Sequence, residues 1–68
     1  MELDLEPGKL LYRPEEAAKA LSVSRDTVYA EIAAGRMRSV KLGRSRRIPH
    51  GALTDYVAML ESEAEPVR

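Results

Sequence analysis

The chain has no cysteine, a single histidine and no apolar run near the roughly 20 residues needed to span a membrane. Without cysteine, neither a disulfide nor a thiolate metal site can staple the fold. His50 stands alone and has no partners at ligand spacing, so no metal site and no cofactor is expected. The N-terminus reads Met1-Glu2-Leu3-Asp4-Leu5-Glu6, which is acidic and lacks the apolar stretch of a secretory signal. A cytoplasmic protein without a membrane partner is the expectation. With 68 residues the chain has room for one domain. Its stability must rest on a small hydrophobic core and amount to roughly 3 to 10 kcal/mol. So little mass cannot enclose a deep pocket, and no small-molecule ligand is expected.

The formal net charge is zero, but it is unevenly placed. Glu2, Asp4 and Glu6 make the start acidic, and Asp55, Glu61, Glu63 and Glu65 do the same for the end. The bases lie between them. Arg36, Arg38, Lys41, Arg44, Arg46 and Arg47 follow one another with no acidic residue among them. A local cationic patch of this kind attracts a polyanion whatever the overall isoelectric point.

Pro7-Gly8 is a breaker pair, and residues 1–9 read as a flexible acidic tail. Leu10, Leu11 and Tyr12 read as a short extended entry lying against the core. Pro14 suits a first helical position, and Glu15 and Glu16 then complement the positive end of the helix dipole. Ala17, Ala18, Ala20 and Leu21 continue a short helix whose cap, Arg13, is a poor capping residue. Ser22-Val23-Ser24 breaks it. Ser24 is a good N-cap for a second helix, and Val23 and Val28 have the spacing of a hydrophobic staple. Val28 and Ile32 share a face that can pack on Leu21, and Gly35 ends the helix. The period then changes from 3.6 to 2. Val40, Leu42 and Ile48 read as the core-facing residues of a β-hairpin that turns at Gly43-Arg44-Ser45. From about Pro49, Leu53, Tyr56, Val57 and Leu60 form one apolar stripe of a third helix. Residues 62–68 read as a flexible acidic tail, leaving residues 10–61 as the domain.

The expected fold is mainly α with a small β-hairpin: a helix-turn-helix, a two-stranded wing and a C-terminal helix. A short helix of this size can enter a DNA major groove, and a basic hairpin can reach the neighbouring minor groove. The candidate recognition-helix contacts are Ser24, Arg25, Asp26, Thr27, Tyr29 and Ala30. Arg25 can pair with guanine or clamp a phosphate. Arg44, Ser45, Arg46 and Arg47 are the candidate wing contacts, and Gly43 gives the tip its backbone freedom. Arg13, Arg36, Arg38, Lys41 and His50 are candidate phosphate contacts. No catalytic residue is expected. Glu15 and Glu16 diverge by about 100° around a helix, and no phosphate-binding glycine loop is present.

Tyr12-Arg13-Pro14-Glu15-Glu16-Ala17-Ala18, then Leu21 through Tyr29, then Gly35, Val40, Gly43, Arg47-Ile48-Pro49 and Ala52-Leu53 resemble the excisionase and MerR-type winged helix-turn-helix. The resemblance covers residues 10–60, and Ser24–Tyr29 and Arg46–Pro49 are its more specific stretches. It implies an excisionase, or recombination directionality factor, that binds and bends attachment-site DNA. Such a factor directs an integrase toward excision, often as head-to-tail arrays on the duplex. Three positions depart from the family pattern. Arg13 stands where Ser or Thr is frequent, Ala30 where a base is frequent and His50 where Arg is frequent. Two alternatives remain open from sequence: a small MerR-like transcription regulator, and a protein-interaction module that contacts integrase.

Overall fold

The computed structural model describes Leu3 and residues 5–64. Its elements are β1 (Leu11–Tyr12), α1 (Pro14–Leu21), α2 (Arg25–Ala33), β2 (Val40–Leu42), β3 (Ser45–Pro49) and α3 (His50–Glu63). The result is a winged helix-turn-helix of three helices and one small antiparallel sheet.

Local chemistry sets the helix bounds. Pro14 opens α1, and the Glu16 carboxylate accepts the Arg13 N–H at 2.8 Å. That is the half of a capping box available when the cap side chain has no acceptor. α1 stops at Ser22, which has left-handed backbone angles (φ 59°, ψ 40°). The Val23 N–H then bonds the Ala18 carbonyl and the Ser22 N–H the Lys19 carbonyl, a Schellman closure. α2 ends in the same way. Gly35 (φ 77°) sits past its end, with Arg36 N–H to the Glu31 carbonyl and Gly35 N–H to Ile32. One closure therefore makes the turn of the helix-turn-helix, and the other releases the chain into the wing.

Leu21, Val28, Ile48 and Leu53 are the largest fully buried side chains. One comes from each of α1, α2, β3 and α3, so a single small core joins the four. Tyr12, Ala17, Ala18, Met37, Ala52, Tyr56 and Val57 complete it, and Val23, Ile32 and Leu60 pack at its margin. Met37 was not legible as core from any period, since it lies between elements. Ala52 is buried as well, beside the stripe of Leu53, Tyr56, Val57 and Leu60 on α3.

The wing departs from expectation in two ways. First, it has a third strand. β1 pairs antiparallel with β3 (Leu11 with Pro49, Tyr12 with Ile48), giving the order β1-β3-β2. Second, Val40 and Leu42 do not face the core; they are 39% and 53% exposed. The reason is register. A two-residue turn at Gly43-Arg44 pairs Leu42 with Ser45, Lys41 with Arg46 and Val40 with Arg47. Opposed residues share a face, so Val40 and Leu42 lie with Ser45 and Arg47, whereas Ile48 lies with Arg46 and Lys41. Gly43 has φ 60° and Arg44 a negative φ, as in a type II′ turn. Leu10 and Leu11, expected against the core, are exposed, and only Tyr12 is buried.

In the stretch read as an N-terminal tail, Leu3 and Leu5 pack on the core and the Glu6 N–H donates to the Tyr12 hydroxyl at 3.2 Å. Lys9 bonds Glu16 and lies over the Tyr12 ring. At the other end α3 continues through Glu63. Residues 65–68, read as part of a tail, lie outside the described residues, as do Met1, Glu2 and Asp4. No helix among the described residues is long and apolar enough to cross a membrane.

Candidate nucleic-acid interface

One face of α2 is anchored and the other is open. Val28 is fully buried, while Ser24, Arg25, Asp26, Thr27, Tyr29 and Ala30 are all exposed. Ser24 caps the helix: its Oγ accepts the Thr27 N–H at 3.1 Å. Its hydroxyl also lies 2.8 Å from the Thr27 hydroxyl, so these two groups engage each other at the helix start. Asp26, in the first turn, complements the dipole.

Arg25 is held from two sides. Its Nε lies 3.7 Å from a Glu15 carboxylate oxygen on α1, and its Nη2 lies 3.5 Å from the Tyr29 hydroxyl one helical turn on. The guanidinium carbon sits 5.2 Å from the centre of the Tyr29 ring, within cation–π range. The hydrogen bond to Tyr29, and then the nearby carboxylates, raise the Arg25 pKa further, so the side chain is a permanent cation.

The six cations expected to form one patch separate into two groups. Arg36 and Arg38 are turned back onto the protein. Arg36 donates from Nε to Glu31 at 3.0 Å and from Nη1 and Nη2 to both oxygens of Glu63 at 3.3 and 2.9 Å. Arg38 Nη2 lies 3.0 Å from Asp55 of α3. These two therefore present less free charge to a phosphate than the sequence suggested. Lys41, Arg44, Arg46 and Arg47 have no carboxylate within salt-bridge distance among the described residues. Arg46 donates to the Ser39 hydroxyl at 2.9 Å and Arg47 to the Arg46 carbonyl at 3.1 Å, which orients both without neutralising them. Lys41 and Arg46 stand directly opposite on one face. Like charges in that relation destabilise a sheet, so folding alone does not favour this pairing. A polyanion bound across it would remove the repulsion.

Arg13 is exposed beside the start of α1, with only its backbone N–H engaged by Glu16. Ser45 is half-buried at the wing turn. His50 is half-buried, its N–H bonding the Leu10 carbonyl at 2.8 Å and its ring 6.3 Å from that of Tyr12. The backbone bond ties the start of α3 to the residue before β1. Among the described residues no cluster of His, Asp and Glu is placed to hold a metal ion.

One constellation was missed from sequence. Glu31, in the last turns of α2, accepts from the Tyr56 hydroxyl at 2.7 Å as well as from Arg36. The Tyr56 hydroxyl and then Arg36 hold the Glu31 carboxyl below its ordinary range. Burial and the bond to Glu31 push Tyr56 up to about 12. The network ties the end of α2 to α3. No local signal could have shown it, since Tyr56 and Glu63 are remote from Glu31 in the chain.

Residues 11–60 match the family model described as a helix-turn-helix domain. A "Probable excisionase" from Saccharopolyspora erythraea is 48% identical over 54 residues, covering 79% of this chain and 55% of that protein. The chain thus spans about half the length of this relative. No solved structure matches. The matched region runs from β1 into α3 and holds both the exposed face of α2 and the cationic wing. The chain belongs to the helix-turn-helix domain family and folds as a winged helix-turn-helix DNA-binding domain.

Proposed function

We propose that the protein acts as an excisionase, a recombination directionality factor that binds and bends attachment-site DNA and directs an integrase toward excision. In this reading α2 enters the major groove with Arg25, Thr27 and Tyr29 toward the bases and backbone. The β2–β3 wing lays Arg44, Arg46 and Arg47 along the adjacent minor groove, with Lys41 and Arg13 on phosphates. The observation that carries the DNA interface is the group of four wing cations without carboxylate partners among the described residues, two of them in opposed register, beside an open helix face. The recombination role is supported by the likeness to a protein named a probable excisionase. Integrase is the proposed protein partner, and head-to-tail contacts between copies bound to one duplex are part of the same reading. Residues 10–61 are the proposed DNA-binding unit, acting at the nucleoid.

Footprinting across an attachment region, with and without integrase, tests this reading when paired with an excision assay. Expected are protected sites beside the integrase core sites and loss of excision when the protein is omitted. Protection confined to promoter DNA, with excision unaffected, would favour a small transcription regulator instead.

A further inference from the structure

We infer that Glu15, on the first helix, is a specificity-determining residue: it holds Arg25 in a posture that suits a guanine edge and disfavours a phosphate. The inference rests on the DNA-binding reading above and extends it to a residue with no contact to DNA of its own.

Arginine offers five N–H donors in a rigid plane. Its side edge carries Nε and one hydrogen of Nη2, and its end edge carries Nη1 and the other Nη2 hydrogen. In this protein Nε and Nη2 both face protein groups. Nε faces Glu15 at 3.7 Å and Nη2 meets the Tyr29 hydroxyl at 3.5 Å, while the plane rests near the Tyr29 ring. Nη1 has no hydrogen-bond partner among the described residues, so the end edge, with its two parallel donors, is the more open of the two. That pair matches the O6 and N7 acceptors of guanine in the major groove.

A phosphate would also offer two acceptors, and here the charge of Glu15 decides. A phosphate seated on Arg25 brings an anion close to a carboxylate already paired with the same guanidinium. Guanine is neutral and meets no such repulsion. Both side chains of the pair are more than half exposed (64% for Arg25, 55% for Glu15), so the effect is modest and salt-sensitive. A modest effect is still enough to bias a long, mobile side chain between two ligands. It also accounts for a carboxylate on the helix that, in this fold, runs across the DNA backbone.

The test compares wild type with Glu15→Gln, Tyr29→Phe and Arg25→Ala on two probes: a duplex selected from a randomised pool, and a random-sequence duplex. Glu15→Gln is expected to tighten binding to the random duplex about threefold, as loss of one exposed charge contact allows. Binding to the selected duplex should change less, so the ratio between the two falls. Replacing the contacted guanine with 7-deazaguanine, which lacks N7, should weaken wild type and leave Arg25→Ala indifferent. Tyr29→Phe keeps the ring and removes the hydroxyl that meets Nη2, so the ratio between the two duplexes should narrow, whatever its own backbone contact adds to binding on both. Equal tightening on both duplexes for Glu15→Gln would overturn the inference, because Glu15 would then act only as a general repulsive charge. So would a 7-deazaguanine penalty that survives in Arg25→Ala. Absence of duplex binding by wild type would sink the DNA-binding reading together with the inference. Salt-sensitive binding with an unchanged ratio in Glu15→Gln would sink the inference alone.

Discussion

Replacing Ser22 by glycine is expected to stabilise the protein, because the turn between α1 and α2 forces a residue with a Cβ into left-handed backbone. Ser22 has φ 59° and ψ 40°, and among the described residues it is the only non-glycine with positive φ. Such a conformation costs an L-residue about 1 to 2 kcal/mol. Glycine avoids that cost but adds freedom to the unfolded chain, which takes back about 0.5 to 1 kcal/mol. Ser22 is exposed, so little packing changes. The net gain is about 0.5 to 1 kcal/mol, equivalent to a rise in the unfolding midpoint of about 2 to 8 °C for a domain of this size. Thermal and urea unfolding followed by far-UV circular dichroism measure it, with the urea m-value expected to stay constant. Ser22→Ala is the control: it keeps the Cβ and should gain nothing. A midpoint for Ser22→Gly equal to or below wild type would refute the claim that the turn is strained.

Other expectations follow from the placement of the cations and of Glu31. Arg46→Ala and Arg47→Ala should each weaken binding on all duplexes alike and reduce the salt slope by about 1, read by gel shift at several salt concentrations. Arg36→Ala should leave that slope nearly unchanged and lower the unfolding midpoint, since its guanidinium already serves Glu31 and Glu63. The Glu31 carboxyl is lowered from its ordinary 4.5, so its contribution to stability is full above that value and is lost as pH falls through the lowered one. Tyr56 is raised from 10.0 to about 12, so its contribution is full below 10.0 and is lost as pH rises toward 12. Tyr56→Phe should flatten both limbs of a plot of unfolding midpoint against pH. Ile48→Ala, which empties a fully buried site between wing and helices, should cost about 2 to 5 kcal/mol, a large part of what a domain this small possesses.

The helices were legible because their signals are local. Pro14, the Ser24 cap and Gly35 each act within a few residues and stand where expected, and Val23 packs on the core that holds Val28. The open face of α2 followed from burial of Val28, one position among exposed neighbours. The wing was harder. Alternation alone put Val40, Leu42 and Ile48 together, but strand faces are set by register. The two-residue turn at Gly43-Arg44 pairs even positions with odd ones and sends Ile48 to the opposite side. Counting across that turn would have corrected the reading from sequence. β1 was hidden for another reason. It is two residues long and finds its partner at Ile48–Pro49, a pairing with no local signature. The division of the cationic patch was hidden likewise, since the acids that hold Arg36 and Arg38 include Glu63 and Asp55 of α3, far along the chain. What could be read of the interface was its composition; which arginines remain free depended on tertiary neighbours.

The claim that the recognition helix and the wing engage one duplex together is tested most directly by the salt dependence of binding. With roughly four to six phosphates neutralised, log K should fall against log salt with a slope of about −4 to −5. A slope near zero, or one left unchanged when Arg44, Arg46 and Arg47 are replaced together by alanine, would contradict it.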